Sequence, residues 1–213
     1  MNGLVFGSTG FLGSAIYERC RYLGWNTSRG TREFQNDLNS QSQYDFIIWA
    51  NGANTIDRID DFSDETHLRL YDANVLFIAS SLRFLIKNNL LASNSKLCVI
   101  SSIWQHSSKR NKFSYSVTKS ALSGFVKSAC VDLGSHGILI NTCDPGVVNS
   151  PMTRRNMSAS QLSTYIESTP LRRLATSEDV AKVATFLVGP ENLFITGQSI
   201  CVDGGFLNSR SLI

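Results

Sequence analysis

Ser102, Tyr115 and Lys119 lie in the segment Ile100-Ser-Ser-Ile-Trp-Gln-His-Ser-Ser-Lys-Arg-Asn-Lys-Phe-Ser-Tyr-Ser-Val-Thr-Lys119, with Tyr115 thirteen residues after Ser102 and Lys119 four after Tyr115. Residues four apart on a helix project from one face, so Tyr115 and Lys119 form a pair, with the strand-end hydroxyl of Ser102 opposite them. A free tyrosine titrates near ~10 and is a poor base at neutral pH. An ammonium held beside it favours the phenolate and lowers that value. The trio reads as a proton-transfer site for carbonyl and alcohol redox chemistry.

These side chains need elements to carry them, and the chain supplies an alternation. Apolar runs at Leu4 to Phe6, around Asn26, Phe46 to Ala50, Lys96 to Ile100, Ile138 to Cys143 and Ser199 to Val202 read as strands. Helical patterns fall near Leu12 to Leu23, Glu65 to Leu91, Ser114 to Gly134 and Ser177 to Leu187. Strands alternating with helices require right-handed crossovers and a parallel, doubly wound sheet. The fold class is α/β. With 213 residues and no Pro/Gly/Ser-rich linker, the chain is one domain over residues 1–213.

Composition narrows the function classes. Twenty basic against 17 acidic residues leave a net charge of +3, too mild to imply nucleic-acid binding. The apolar runs are too short to cross a bilayer, and no basic segment precedes Gly3-Leu-Val-Phe6 as a signal peptide would require, so the expected location is the cytoplasm. Five cysteines without a Cys-x-x-Cys pair, and three histidines without ligand spacing, predict free thiols and no metal.

Gly7-Ser-Thr-Gly10-Phe-Leu-Gly13 follows the first strand and opens the first helix. Glycines there let the backbone turn tightly against a pyrophosphate, whose charge meets the helix N-terminal amides. Ser8 and Thr9 are candidate hydroxyl donors, and Phe11 and Leu12 complete the turn. No Gly-Lys-Ser/Thr ending of the NTPase type is present, since Gly13 is followed by Ser-Ala.

Cys98-Val-Ile-Ser-Ser102, the Tyr115-Ser-Val-Thr-Lys119 pentad, Asn141-Thr-Cys-Asp-Pro-Gly-Val-Val-Asn-Ser150 and Ile195-Thr-Gly-Gln-Ser-Ile-Cys-Val-Asp-Gly-Gly205 together resemble a short-chain dehydrogenase/reductase, from about residue 2 to residue 206. The resemblance implies Tyr115 as general acid and base, Lys119 as the group that lowers its pKa and holds the nicotinamide ribose, and Ser102 as donor to the carbonyl oxygen. It implies Asn74 as anchor of a proton-relay water. It makes Pro145, Gly146, Val148 and Ser150 the loop that orients the nicotinamide, with a substrate lid near residues 151–170. Asp37 and Leu38 sit where a family Asp-Val pair would hold adenine, in a region after the second strand that is shorter than the family usually has. Asn51 and Gly52 stand where the family has Asn-Asn-Ala-Gly: the glycine survives, the sheet-bracing asparagine does not. The glycine turn follows Gly-x-x-Gly-x-x-Gly, as in the extended branch, while the C-terminal half resembles the compact branch.

The position that would carry an NAD-selecting acid falls on Thr31, with Arg32 next and Arg29 nearby. Guanidiniums without an acid suit a 2′-phosphate, which predicts NADP. Glu33, twenty residues past Gly13, keeps NAD as the alternative. The expected substrate is a small-molecule carbonyl or alcohol. Lys109, Arg110, Lys112, Arg154 and Arg155 around the cleft raise an anionic one. A homodimer or homotetramer is expected, with Leu76, Phe77, Phe84, Leu122 and Phe125 supplying apolar surface. A non-catalytic dinucleotide sensor or scaffold, and a sugar-nucleotide epimerase or dehydratase, are the other readings. The intact Asn74, Ser102, Tyr115 and Lys119 set speaks against the first, and the compact-branch C-terminal third against the second.

Overall fold

The computed structural model describes residues 1–34 and 43–209. Its six strands, β1 (Asn2–Phe6), β2 (Asn26–Gly30), β3 (Tyr44–Trp49), β4 (Leu91–Ile100), β5 (Leu139–Pro145) and β6 (Ser199–Val202), form one sheet in the order β2-β1-β3-β4-β5-β6. Every neighbouring pair is parallel. The chain leaves β1 for β2 on one side and then crosses to β3 on the other. The switch point of this α/β fold therefore lies at the carboxyl ends of β1 and β3, where a ligand crevice opens.

Strands buried on both faces are almost continuously apolar, and Tyr44-Asp-Phe-Ile-Ile-Trp49 and Leu97-Cys-Val-Ile100 are of that kind. After α2 (Asp64–Tyr71), one face carries Leu4, Phe6, Ile47, Trp49, Leu97, Val99 and Ile140 against α3 (Phe77–Lys87) and α4 (Phe113–Gly134). The other carries Val5, Phe46, Ile48, Cys98, Ile100 and Cys143 against α1 (Phe11–Tyr22) and α7 (Ser177–Val188). Trp49 is fully buried and donates its indole N–H to Ser81 Oγ at 2.8 Å, which satisfies the one polar atom it takes into the core.

The single helix expected from Glu65 to Leu91 differs in two ways. It is interrupted by a π-helical turn at Asp72–Leu76, and it ends at Lys87. Asn89 takes φ 55°, and Leu91 already begins β4. Asparagine tolerates the left-handed region, so Asn88-Asn89 is a chain-reversal signal that apolar periodicity alone overrode. The lid segment forms two short helices, α5 (Pro151–Asn156) and α6 (Ala159–Ser168).

The region after β2 is short. No further strand appears between Gly30 and Tyr44 among the described residues, and Phe34 packs edge-on against Phe6, Phe77 and Phe84. Asp37 and Leu38, proposed for adenine, lie outside the described residues. The apolar surface expected for association is corrected at Leu122, which is fully buried against the sheet, while Phe77, Phe84 and Phe125 are half-buried on the same core. Of that set Leu76 is the exposed member, and Tyr71 on α2 and Val117 on α4 are exposed as well.

Candidate active site

The glycine turn is held by sterics. Gly7 takes φ +72°, and a Cβ there would meet the Asn51 amide nitrogen at 2.6 Å. A Cβ on Gly13 would sit 2.0 Å from the Gly7 carbonyl oxygen. The turn closes through Gly10 N–H to the Gly7 carbonyl at 2.9 Å, and no side chain caps α1 at Gly10. Its N-terminus thus offers backbone donors and positive dipole to an anion. Thr9, Gly10 and Phe11 are exposed, Leu12 is half-buried and Ser8 is buried, so Thr9 is the hydroxyl that remains on the surface. This cradle, which admits no Cβ at either glycine, fits a dinucleotide diphosphate.

Arg29 leaves β2 and folds back onto that turn. Its Nη1 donates to the Ser8 carbonyl at 3.0 Å, its guanidinium covers the Tyr17 ring at 3.9 Å, and Glu18 lies 3.7 Å from Nη2. Arg32 is exposed beyond the strand end.

Tyr115 and Lys119 occupy successive turns of α4 on its sheet-facing side. Ser102 sits just past β4 with extended backbone and begins a short 3-10 turn (Ile103–Gln105), its Oγ accepting from the Trp104 amide at 3.3 Å. Lys119 is 3% exposed and donates from Nζ to the Ile100 carbonyl at 3.1 Å. Burial pulls its pKa down to about 8, against the pull of Asp144 in the opposite direction. Nζ lies 5.7 Å from the Tyr115 ring centroid. Burial raises the Tyr115 pKa, and a hydrogen bond with the Ser102 side chain opposes the rise. The expectation of a lowered value is corrected here: desolvation of the phenolate outweighs the Ser102 hydrogen bond.

Asn74 projects from the π turn and is fully buried. Its Oδ1 accepts from the Ala53 amide at 2.6 Å, and its Nδ2 donates to the Ala53 carbonyl at 3.0 Å and to Thr118 Oγ1 at 2.9 Å. Both Nδ2 protons are used, so the side chain braces the loop after β3. π turns recur at functional positions because the extra residue re-aims one side chain. Gly52 lies under this brace, where a Cβ would be 3.3 Å from Asn74 Oδ1 and 3.5 Å from Lys119 Nζ. Asn51 donates from Nδ2 to the Ala73 carbonyl at 3.2 Å, while its buried Oδ1 has no partner among the described residues.

After β5, Pro145 is buried, and Gly146 has no room for a side chain, with Asp203 Cα 3.0 Å and the Tyr165 hydroxyl 3.1 Å from the site of a Cβ. Val148 pairs with Ala175 in an isolated bridge. Ser150 accepts from the Thr153 amide at 3.1 Å and so caps α5.

Two clefts meet at Tyr115. One runs past Gly10, Phe11, Leu12, Asn51, Gly52, Lys119 and Ser150. The other, about 560 Å³, holds Ser102, Trp104, Pro145, Gly146 and the α5 side chains Met152 and Thr153, a size within the ordinary range for a small ligand. Lys109, Arg110 and Lys112 line its mouth, and Arg155 lines the first cleft. Lys112 is already committed, donating to Asn54 Oδ1 at 2.7 Å, as is Arg154 to Asn149 Oδ1 at 2.9 Å. Lys109 and Arg110 are exposed.

Sequence reasoning passed over three groups. Thr118 holds Asn74, and the Tyr165 hydroxyl accepts from the Val147 amide at 3.0 Å and fixes the loop after β5. The third is a buried polar cluster beneath Ser102: Asp144 Oδ2 accepts from Gln105 Nε2 at 2.5 Å and pairs with His106 Nε2 at 2.7 Å, while Ser101 Oγ donates to Gln105 Oε1 at 2.7 Å. A charged residue near the end of a buried strand was the one available signal. Cys201 comes within 4.8 Å of the His106 and Asp144 ligand atoms, but with Asp144 Oδ2 taken by two donors the group reads as a hydrogen-bonded network.

The model for the enoyl-(acyl carrier protein) reductase family matches residues 34–207. A 3-oxoacyl-[acyl-carrier-protein] reductase of Buchnera aphidicola is 35% identical over 132 residues, 62% of this chain and 53% of that protein. An L-rhamnose 1-dehydrogenase (NADP(+)) of Thermoplasma acidophilum is 36% identical over 115 residues, 54% of this chain and 45% of that protein. The chain thus spans about half the length of these curated relatives. Among solved structures, the ligand-free aldohexose dehydrogenase of Thermoplasma acidophilum superposes with a TM-score of 0.89 over 100% of this chain and 96% of that one, at 19% identity, a likeness of fold.

Proposed function

The chain belongs to the short-chain dehydrogenase/reductase family, and on that premise we propose that it interconverts a carbonyl and an alcohol on a small molecule, with NADP(H) as its dinucleotide. The observation that carries the reading is the meeting of the two clefts at Tyr115, with Lys119 in one and Ser102 in the other. The bound dinucleotide supplies the hydride. In reduction, Ser102 Oγ donates to the carbonyl oxygen and Tyr115 delivers the proton to the same oxygen as charge develops on it. Lys119 holds positive charge beside Tyr115 and stabilises the phenolate left behind. Asn74 and Gly52 keep the floor of the dinucleotide cleft in place.

NADP is supported by Arg32 at the end of β2 and by the L-rhamnose dehydrogenase, whose name carries that nucleotide. The exposed Lys109 and Arg110 favour a substrate bearing negative charge beyond its carbonyl. No helix among the described residues is long and apolar enough to cross a membrane. The test is NADPH consumption with a panel of aldehydes, ketones and 3-oxo thioesters, followed spectrophotometrically. Turnover of one class supports the proposal. A protein that binds NADPH and reduces nothing in a broad panel is the sensor instead.

A further inference from the structure

Asp144 has no side chain in the proton-transfer trio to bond, yet it is fully buried at the catalytic end of β5. Thr142 and Ile140 precede it on the same face of the strand, the face covered by α4, and α4 carries Tyr115 and Lys119. A buried carboxylate is costly unless paired. Here Gln105 and His106 serve Oδ2, and Oδ1 has no partner among the described residues. The Gln105 carbonyl in turn accepts from Ser120 Oγ at 3.2 Å, which ties the cluster to the residue next to Lys119. We propose that Asp144, held by Gln105 and His106, is a positioning residue that keeps Lys119 in its ammonium form and thereby sets the alkaline limit of turnover.

The physical case is electrostatic. Lys119 donates from Nζ to the carbonyl of Ile100, which pairs with Cys143 beside Asp144; burial pulls its pKa down and Asp144, the one charged neighbour that pulls it back, leaves it at about 8. The ionisable groups near Asp144 are His106 from the 3-10 turn, Lys119 from α4 and Cys201 from β6, with Cys98 and Cys143 on the other face of the sheet. Burial holds all three thiols above their ordinary range, so they remain neutral at pH 7 to 8. Lys119 and His106 are then the only groups of this set able to carry positive charge toward Asp144. Loss of the Asp144 charge deprives the buried ammonium of its counter-charge and lets it deprotonate nearer neutrality.

The consequence for turnover rests on the reading of Tyr115 and Lys119 as the proton-transfer pair, while the titration itself does not. We would follow the Lys119 ε-methylene by NMR against pH in the wild type and in Asp144→Asn, assigning the resonance with Lys119→Arg. The expected result is a Lys119 midpoint lower by roughly one pH unit, the order of effect of one charge acting through an effective dielectric near ~20. An unchanged midpoint in a folded variant overturns the proposal. If Asp144→Asn does not fold, the wild type decides: the Lys119 resonance carries a second inflection at the midpoint of Asp144, and its absence overturns the proposal. The alkaline limb of kcat should shift by the same amount as the NMR midpoint. A wild type that reduces no carbonyl defeats the proposed function and leaves the titration to rule on Asp144.

Discussion

Asn74 holds Ala53 by both of its main-chain groups, Oδ1 accepting the amide at 2.6 Å and Nδ2 donating to the carbonyl at 3.0 Å. The side chain thus plays the part of a neighbouring strand for the segment that floors the dinucleotide cleft. Its removal strands a buried polar pair, a loss of about 1–3 kcal/mol. Asn74→Ala should lower the urea midpoint accordingly and weaken NADPH binding, both read in one set of fluorescence titrations. Unaltered stability and affinity would count against the brace.

Tyr115→Phe keeps the ring and discards the transferable proton. NADPH should still bind, while turnover falls by about 10²–10⁴-fold, the range of general acid–base catalysis. Full reductase activity in this variant would refute the assignment.

Gly13 is the position with least room. An alanine Cβ would stand 2.0 Å from the Gly7 carbonyl oxygen, so α1 has to shift away from β1. Overpacking of this kind costs about 1–3 kcal/mol, and displacement of the helix N-terminus should weaken NADPH and NADH alike. Calorimetry on Gly13→Ala checks both effects, and nucleotide binding at wild-type affinity would contradict the cradle.

Arg29 and Arg32 should separate. Arg29 is engaged with Ser8, Tyr17 and Glu18, so Arg29→Ala should loosen the glycine turn and weaken both nucleotides. Arg32→Ala should cost only NADPH, by about 1.5–3 kcal/mol for a charge-assisted hydrogen bond. A wild type that prefers NADH in the same titration would overturn the choice of cofactor.

The buried acid predicts a pH dependence of stability. Burial raises the Asp144 pKa from 3.8 to about 6, so between those values the folded protein binds a proton that the unfolded chain does not. Stability contributed by this group therefore falls as pH rises through that window. Asp144→Asn carries no such charge, and its denaturation midpoint relative to wild type should be higher at pH 7 than at pH 4. A constant difference across that range would contradict the burial argument.

What the sequence determined by itself is the local chemistry and its order along the chain. The four-residue step from Tyr115 to Lys119 guarantees a shared helix face, Gly7 and Gly13 mark a turn without room for side chains, and the alternation of apolar runs with helical patterns dictates a parallel α/β sheet. These follow from short-range geometry. The rest depended on partners distant in sequence. The use of Asn74 as a brace rests on Ala53 and Thr118, 21 and 44 residues away, and on a π turn that periodicity does not signal. Leu122 and Phe125 look alike as exposed or core residues of an amphipathic helix until the sheet chooses the buried side. Asp144 reads as one more acid in the sequence, and only the packing of β5 beneath α4 gives it His106 as a partner and Lys119 as the charge it serves.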